Sequence, residues 1–229
     1  MAQPSPYTPG EISRGVPGRG DLIAEFEERL SLLVDLQRLV GRIHVAHGER
    51  GIGKTSLLRA YQRIAERRDV LCIWVTAGEK TGLIAQLLRE IRRETTTWPR
   101  SAAASVGKLL DSLTVTVGVP GVASVTKSGG AAEERADLEA RELEEVLRAV
   151  LKNRDRVRAL ILFVDEIQTA DADGIRTLAY AWQHLQAEGP DLPAAVFAAG
   201  LSNAPEHISG AVTFSERFAY RPLEMLSTG

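Results

Sequence analysis

Residues Gly48 to Thr55 read Gly-Glu-Arg-Gly-Ile-Gly-Lys-Thr and fit the pattern G-x-x-x-x-G-K-[ST]. These types at this spacing suit the grip of a polyphosphate, whose oxygens must be met closely and from many sides. Glycines at 48, 51 and 53 let the backbone curl so that successive N–H groups point at the anion. Lys54 is placed to reach the β- and γ-phosphates, and the Thr55 hydroxyl can ligate Mg²⁺. The expected binding set is therefore the run Gly48, Glu49, Arg50, Gly51, Ile52, Gly53, Lys54, Thr55 and Ser56, backed by the positive end of the helix that follows. The alternative, a glycine-rich turn that binds nothing, competes with a pattern that a chain of this length meets by chance about once in a hundred.

A phosphate loop that works with Mg²⁺ needs a carboxylate to hold the ion. The run Arg158 to Glu166, Arg-Ala-Leu-Ile-Leu-Phe-Val-Asp-Glu, ends in two acids. Asp165, at the C-terminal tip of a buried strand, stands where ligands bind in open α/β sheets and is the expected Mg²⁺ residue, through water. Glu166 can polarise a water for in-line attack on the γ-phosphate. Read alone, the acid pair also fits a helix N-terminal cap.

These groups require elements to position them. Arg42 to His47 alternates as a short strand before the loop, and Thr55 to Arg68 carries an apolar helical face after it. Asp21 reads as the N-cap of an earlier helix running to about Val40 and closed by Gly41. Val70 to Thr76 is a near-continuous apolar run, as in a strand buried on both faces, and forms a βαβ pair with the strand before the loop. Helical spacing recurs over 82–94, 102–112, 133–154 and 173–187, and Leu192 to Gly200 is a further buried strand. Between Leu113 and Lys127 the chain alternates around Pro120-Gly121, which predicts a small β-hairpin insertion at about 113–130, with Ser128-Gly129-Gly130 as a flexible joint. Strands alternating with helices predict an α/β fold, a three-layer sandwich on a mainly parallel sheet.

With 229 residues, 44% hydrophobic, the chain holds enough material for one large core. A net charge of −2 gives no bulk attraction to nucleic acid, so contact with DNA would need a local patch or another domain. The single cysteine, Cys72, has no internal disulfide partner and reads as a strand residue, in keeping with a cytoplasmic setting. Residues 1–18 are interrupted by proline and glycine and read as an extended lead-in. No apolar run is long enough to span a membrane. His44 and His47 lie at strand spacing without metal-ligand partners and read as structural.

The sequence resembles AAA+ and STAND-type P-loop ATPases, most closely bacterial ATP-binding proteins similar to archaeal origin-recognition ATPases. The resemblance runs from Val16 onward and is carried by Val16-Pro17-Gly18-Arg19-Gly20-Asp21, the loop, Asp165-Glu166-Ile167-Gln168, Ala199-Gly200-Leu201-Ser202-Asn203 and Ser215-Glu216-Arg217-Phe218. It implies a P-loop NTPase core over residues 19–229 that binds ATP or ADP with Mg²⁺ and hydrolyses ATP to drive a conformational or assembly change. It also implies that Val16 and Pro17 lie near adenine and that Asn203, with Ser202 as second choice, acts as a polar sensor. Arg217 would be presented to a nucleotide, often across a subunit interface, so self-association through that interface is a further expectation. The family's helical lid, its sensor arginine and any winged helix would lie beyond this chain. A nucleotide switch with little turnover and a P-loop kinase remain as alternatives; against the kinase, Glu166 would activate the water that phosphoryl transfer to an acceptor must exclude.

Overall fold

The computed structural model describes residues 18–78, 81–114, 129–153, 157–213 and 215–224. In chain order the elements are α1 (Gly20–Val34), β1 (Ile43–His47), α2 (Lys54–Glu66), β2 (Val70–Thr76), α3 (Leu83–Thr95), α4 (Arg100–Thr114), α5 (Gly129–Lys152), β3 (Ala159–Asp165), α6 (Ala172–Glu188), β4 (Ala194–Gly200), α7 (Ala204–Ala211) and β5 (Phe218–Pro222). Short 3-10 turns at Ile167–Thr169 and Ser215–Arg217 follow β3 and precede β5.

All strand pairs are parallel, in the order β2-β3-β4-β1-β5. The period-2 alternation of side chains divides the core in two. Ile161, Phe163, Ala195 and Phe197 face α1 and α2, where they meet Phe26, Leu30, Leu57 and Tyr61. Leu160, Leu162, Val164 and Val196 face the other layer, with Leu87, Leu143, Leu178 and Trp182. Every residue of β3 and β4 is buried, which explains why these two strands read as unbroken apolar runs. The three-layer α/β architecture is thus the expected one, on a sheet that is wholly parallel.

Several boundaries differ from expectation. The first helix starts at Gly20 with Arg19 as N-cap and places Asp21 inside its first turn. It stops at Val34, short of Val40. Gln37, at φ 53°, turns the chain left-handed, and its side-chain amide donates to the Leu33 and Val34 carbonyls at 3.2 and 3.0 Å. Leu39 and Val40 then donate backbone hydrogen bonds to Pro190 and Ala194, so tertiary pairing overrides the helical spacing. β1 and β2 are not neighbours, because β3 and β4 lie between them. Leu113 and Thr114 belong to α4 and Gly129 and Gly130 to α5, so neither the start of the expected hairpin nor the joint is seen there. The turn at Pro120-Gly121 and the lead-in 1–17 lie outside the described residues. α7 and β5 are elements the sequence reading did not anticipate.

His44 on β1 stacks against Phe197 at 5.3 Å between ring centroids. Burial, with Arg29 and Arg42 adding repulsion, pushes its ring down from 6.5 to about 4. As pH falls, the unfolded chain takes up this proton first, so the stability contribution is complete above about pH 6.5 and is lost between 6.5 and 4. The loss should amount to something on the order of 3 kcal/mol. In urea titrations at pH 7 and pH 4.5, wild type should lose about 2 kcal/mol more stability than His44→Phe, the part of the loss reached by pH 4.5; equal losses would refute the assignment.

Candidate functional site

Because the strands are parallel, their C-terminal ends form one edge, and the residues with chemical potential gather there. Register sets His47 of β1 beside Gly200 of β4 and Pro222 of β5, and sets Thr76 beside Asp165. The loop leaves β1 at that edge. The peptide group between His47 and Gly48, where the chain enters the loop, is clamped on both sides: Gly48 N donates to Gly200 O at 3.3 Å, and Leu223 N donates to His47 O at 2.7 Å. Gly51 and Gly53 have φ of 84° and 92°, conformations that a side chain would strain, and Gly53 is the residue from which α2 starts.

Lys54 is nearly buried, at 7% exposure. Its Nζ donates to the carbonyls of Gly48 at 2.9 Å and Glu49 at 2.6 Å, which draws the loop around the ammonium group. Burial lowers the ammonium below its ordinary value, and Glu166 and Asp165 oppose that shift.

A hydrogen bond joins the loop to β3: Thr55 Oγ1 donates to Asp165 Oδ2 at 2.8 Å. Asp165 Oδ1 accepts from the Glu166 backbone at 3.0 Å. Burial raises the Asp165 carboxyl above its ordinary value, and these two hydrogen bonds pull the other way. Glu166 itself adopts φ 55° and ψ 39°. A non-glycine residue held left-handed costs about 1–3 kcal/mol, a conformation that persists when surrounding contacts enforce it. Its carboxylate accepts from Gln168 Nε2, and Gln168 Oε1 accepts from Leu201 N at 2.9 Å. Beside Glu166, along the β2 edge of the sheet, opens a cleft of about 980 Å³ walled by Arg59, Trp74, Arg89 and Thr169 among others. Arg59 stacks its guanidinium 3.5 Å from the Trp74 ring centroid.

The structure therefore brings Gly48–Ser56, Asp165 and Glu166 together. Asn203 lies three residues past the end of β4, on the same edge, exposed at the N-cap of α7, with its carbonyl accepting from His207 N at 3.0 Å. Arg217 is not brought to the loop of its own chain. It directly precedes β5, whose first residue Phe218 aligns with Ile43 at the start of β1, so it stands at the opposite edge, a strand length or about 15 Å away. There its guanidinium donates to Gln186 on α6. Val16 and Pro17 lie outside the described residues, but Arg19, two residues after Pro17, donates to Glu224 O at 2.6 Å, one residue beyond the Leu223 that bonds to His47. The bridging position of Gln168 and the Arg59–Trp74 stack were not anticipated. Arg59 follows Thr55 by four residues on α2, a spacing that puts both on one helical face and was the available signal. His44 stacks on Phe197 and the His47 ring stands edge-on to Tyr220 at 6.2 Å between centroids, and no His, Cys, Asp and Glu cluster suited to a metal occurs among the described residues.

A family model for the AAA ATPase domain matches residues 15–193. Among curated proteins none matches the chain in sequence. Among solved structures, the ORC2 protein of Aeropyrum pernix in ADPNP–ADP complexes is similar, with a TM-score of 0.58 and 16% identity over 95% of this chain and 50% of that one. Cdc6p of Pyrobaculum aerophilum matches at TM-score 0.49 and 16% identity, over 95% of this chain and 48% of that one. AMPPCP-bound DnaA of Aquifex aeolicus matches at 0.45 and 16%, over 96% and 51%. The chain spans about half the length of these structures.

Proposed function

The chain belongs to the AAA ATPase domain family, and on that premise we propose that it binds Mg²⁺ and ATP at Gly48–Ser56 and hydrolyses the nucleotide with Glu166 as the general base that activates water. The observation that carries the proposal is the 2.8 Å hydrogen bond from Thr55 to Asp165, which puts a hydroxyl and a carboxylate at one point beside the loop. Two hard oxygen donors held this close fit Mg²⁺, which favours such ligands and keeps several waters. Bound there, the ion would neutralise charge on the β- and γ-phosphates. The loop N–H groups and Lys54 would hold the phosphate oxygens, with Lys54 exchanging loop carbonyls for them. Water attacks the γ-phosphorus while its proton passes to the Glu166 carboxylate, and the bond to the β-phosphate oxygen breaks to leave ADP and phosphate. Asn203 would contact the γ-phosphate or the attacking water, and residues 16–17 the adenine. Arg217 would act on the nucleotide of another copy.

Hydrolysis would drive a change of conformation or assembly. A second reading, a switch that holds nucleotide with little turnover, is favoured by the Gln168 hydrogen bond that occupies the Glu166 carboxylate. Phosphate release from ATP in magnesium buffer separates the two. Release should occur and fall to background when EDTA removes the metal. Release unaffected by EDTA would overturn the metal assignment, and bound nucleotide with no phosphate release would establish the switch.

A further inference from the structure

We propose that Gln168 is a positioning residue: its side-chain amide ties the Glu166 carboxylate to the turn between β4 and α7, so that the aim of the acid follows the position of that turn. This rests on the reading of Glu166 as the general base that activates water.

Both ends of the amide are engaged. The Leu201 N–H is a donor, so the atom of Gln168 that faces it, at 2.9 Å, must be the oxygen Oε1. That fixes the nitrogen Nε2, a donor, toward the acceptor Glu166 Oε2. No other uncharged side chain of this length both donates and accepts, and the amide orientation follows from the partners. The space around it is closed as well. A Cβ built on Gly200 would lie 2.9 Å from Gln168 Oε1, 2.9 Å from Ile167 Cγ2 and 2.7 Å from Ala204 Cβ, so the amide rests against bare backbone at the end of β4.

The turn held by this amide is joined to the phosphate loop at one end, where Gly48 N donates to Gly200 O. At the other end it leads through Ser202 to Asn203 and α7. The 3-10 turn that carries Gln168 is anchored by Thr169, whose Oγ1 donates to Ala77 O at 2.8 Å. A displacement of residues 200–203 therefore acts on the acceptor end of the amide, and the rigid amide plane transmits it to the carboxylate. Glu166 itself is held left-handed, at φ 55°, a backbone conformation that persists only where surrounding contacts enforce it.

The full chain with Gln168→Met and Gln168→Glu tests this. Either variant should bind ATP within about twofold of wild type and lower kcat about 10²-fold with KM little changed, since misaimed groups cost about that much. Gln168→Glu sets two carboxylates against each other and keeps the test open should Gln168→Met not fold. A readout independent of turnover is the backbone amide resonance of Leu201. Adding Glu166→Gln to the otherwise wild-type chain should move this resonance. Adding it to the Gln168→Met variant, which has neither the acceptor for Leu201 nor the donor to residue 166, should leave the resonance in place. Wild-type kcat in both variants, or equal movement of Leu201 in the wild-type and Gln168→Met backgrounds, would overturn the proposal. Wild-type protein that binds ATP without hydrolysing it would overturn the hydrolase reading instead, while the Leu201 comparison still decides the role of Gln168.

Discussion

Lys54→Ala abolishes nucleotide binding: in calorimetric titrations with ATP and magnesium, affinity should fall by at least about 10²-fold. The ammonium makes two short hydrogen bonds to the loop, at 2.9 and 2.6 Å, and these are the contacts that phosphate oxygens would take over. Charge-assisted hydrogen bonds are worth about 1.5–3 kcal/mol each, so losing two accounts for the expected fall. Alanine also removes the group around which Gly48 and Glu49 fold, and the loop loses the shape that aims its N–H groups. The measurement is decisive when the variant melts within a few degrees of wild type, since the hydrogen bonds of the Lys54 ammonium go to the loop carbonyls of Gly48 and Glu49. ATP affinity unchanged from wild type would refute the placement of the phosphates.

Glu166→Gln separates binding from chemistry. Glutamine has the shape of glutamate, tolerates the same backbone position and can still meet Gln168 through an amide, but it cannot take a proton from water. Nucleotide affinity should stay within about twofold, while turnover drops by about 10²–10⁴, the usual worth of a general base. Phosphate release by the variant at the wild-type rate would remove Glu166 from the chemistry and leave Asp165 and the loop as a binding site alone.

What the sequence disclosed followed from local chemistry. The glycines, lysine and threonine of the loop declare themselves by spacing. β2 matches its expected range from Val70 to Thr76, but it lies at the edge of the sheet and is only partly buried, where burial on both faces was expected. Asp165 and Glu166 stood out as charge at the tip of β3, a strand that is buried throughout and therefore continuously apolar. Strand order was not legible, since nothing in Ile43–His47 names Ala194–Gly200 and Phe218–Pro222 as its neighbours. β5 escaped notice because five residues ending in Arg-Pro carry little apolar signal on a sheet edge. The end of α1 was misjudged because Leu39 and Val40 keep helical spacing while bonding to Pro190 and Ala194. Gln168 was visible as a residue, but its part emerged only once the Leu201 amide was found against it.

The order of strands also governs when the site can exist during synthesis. β1, which launches the phosphate loop, pairs with β4 and β5 and with no strand made earlier. A growing chain that has left the ribosome as far as α6 has the loop sequence but neither strand that anchors it. Contacts between such distant segments form late because loop closure must come first. If the loop binds ATP as proposed, its capture would be deferred until residues 194–222 have emerged, since an unfinished polypeptide has no anchored loop.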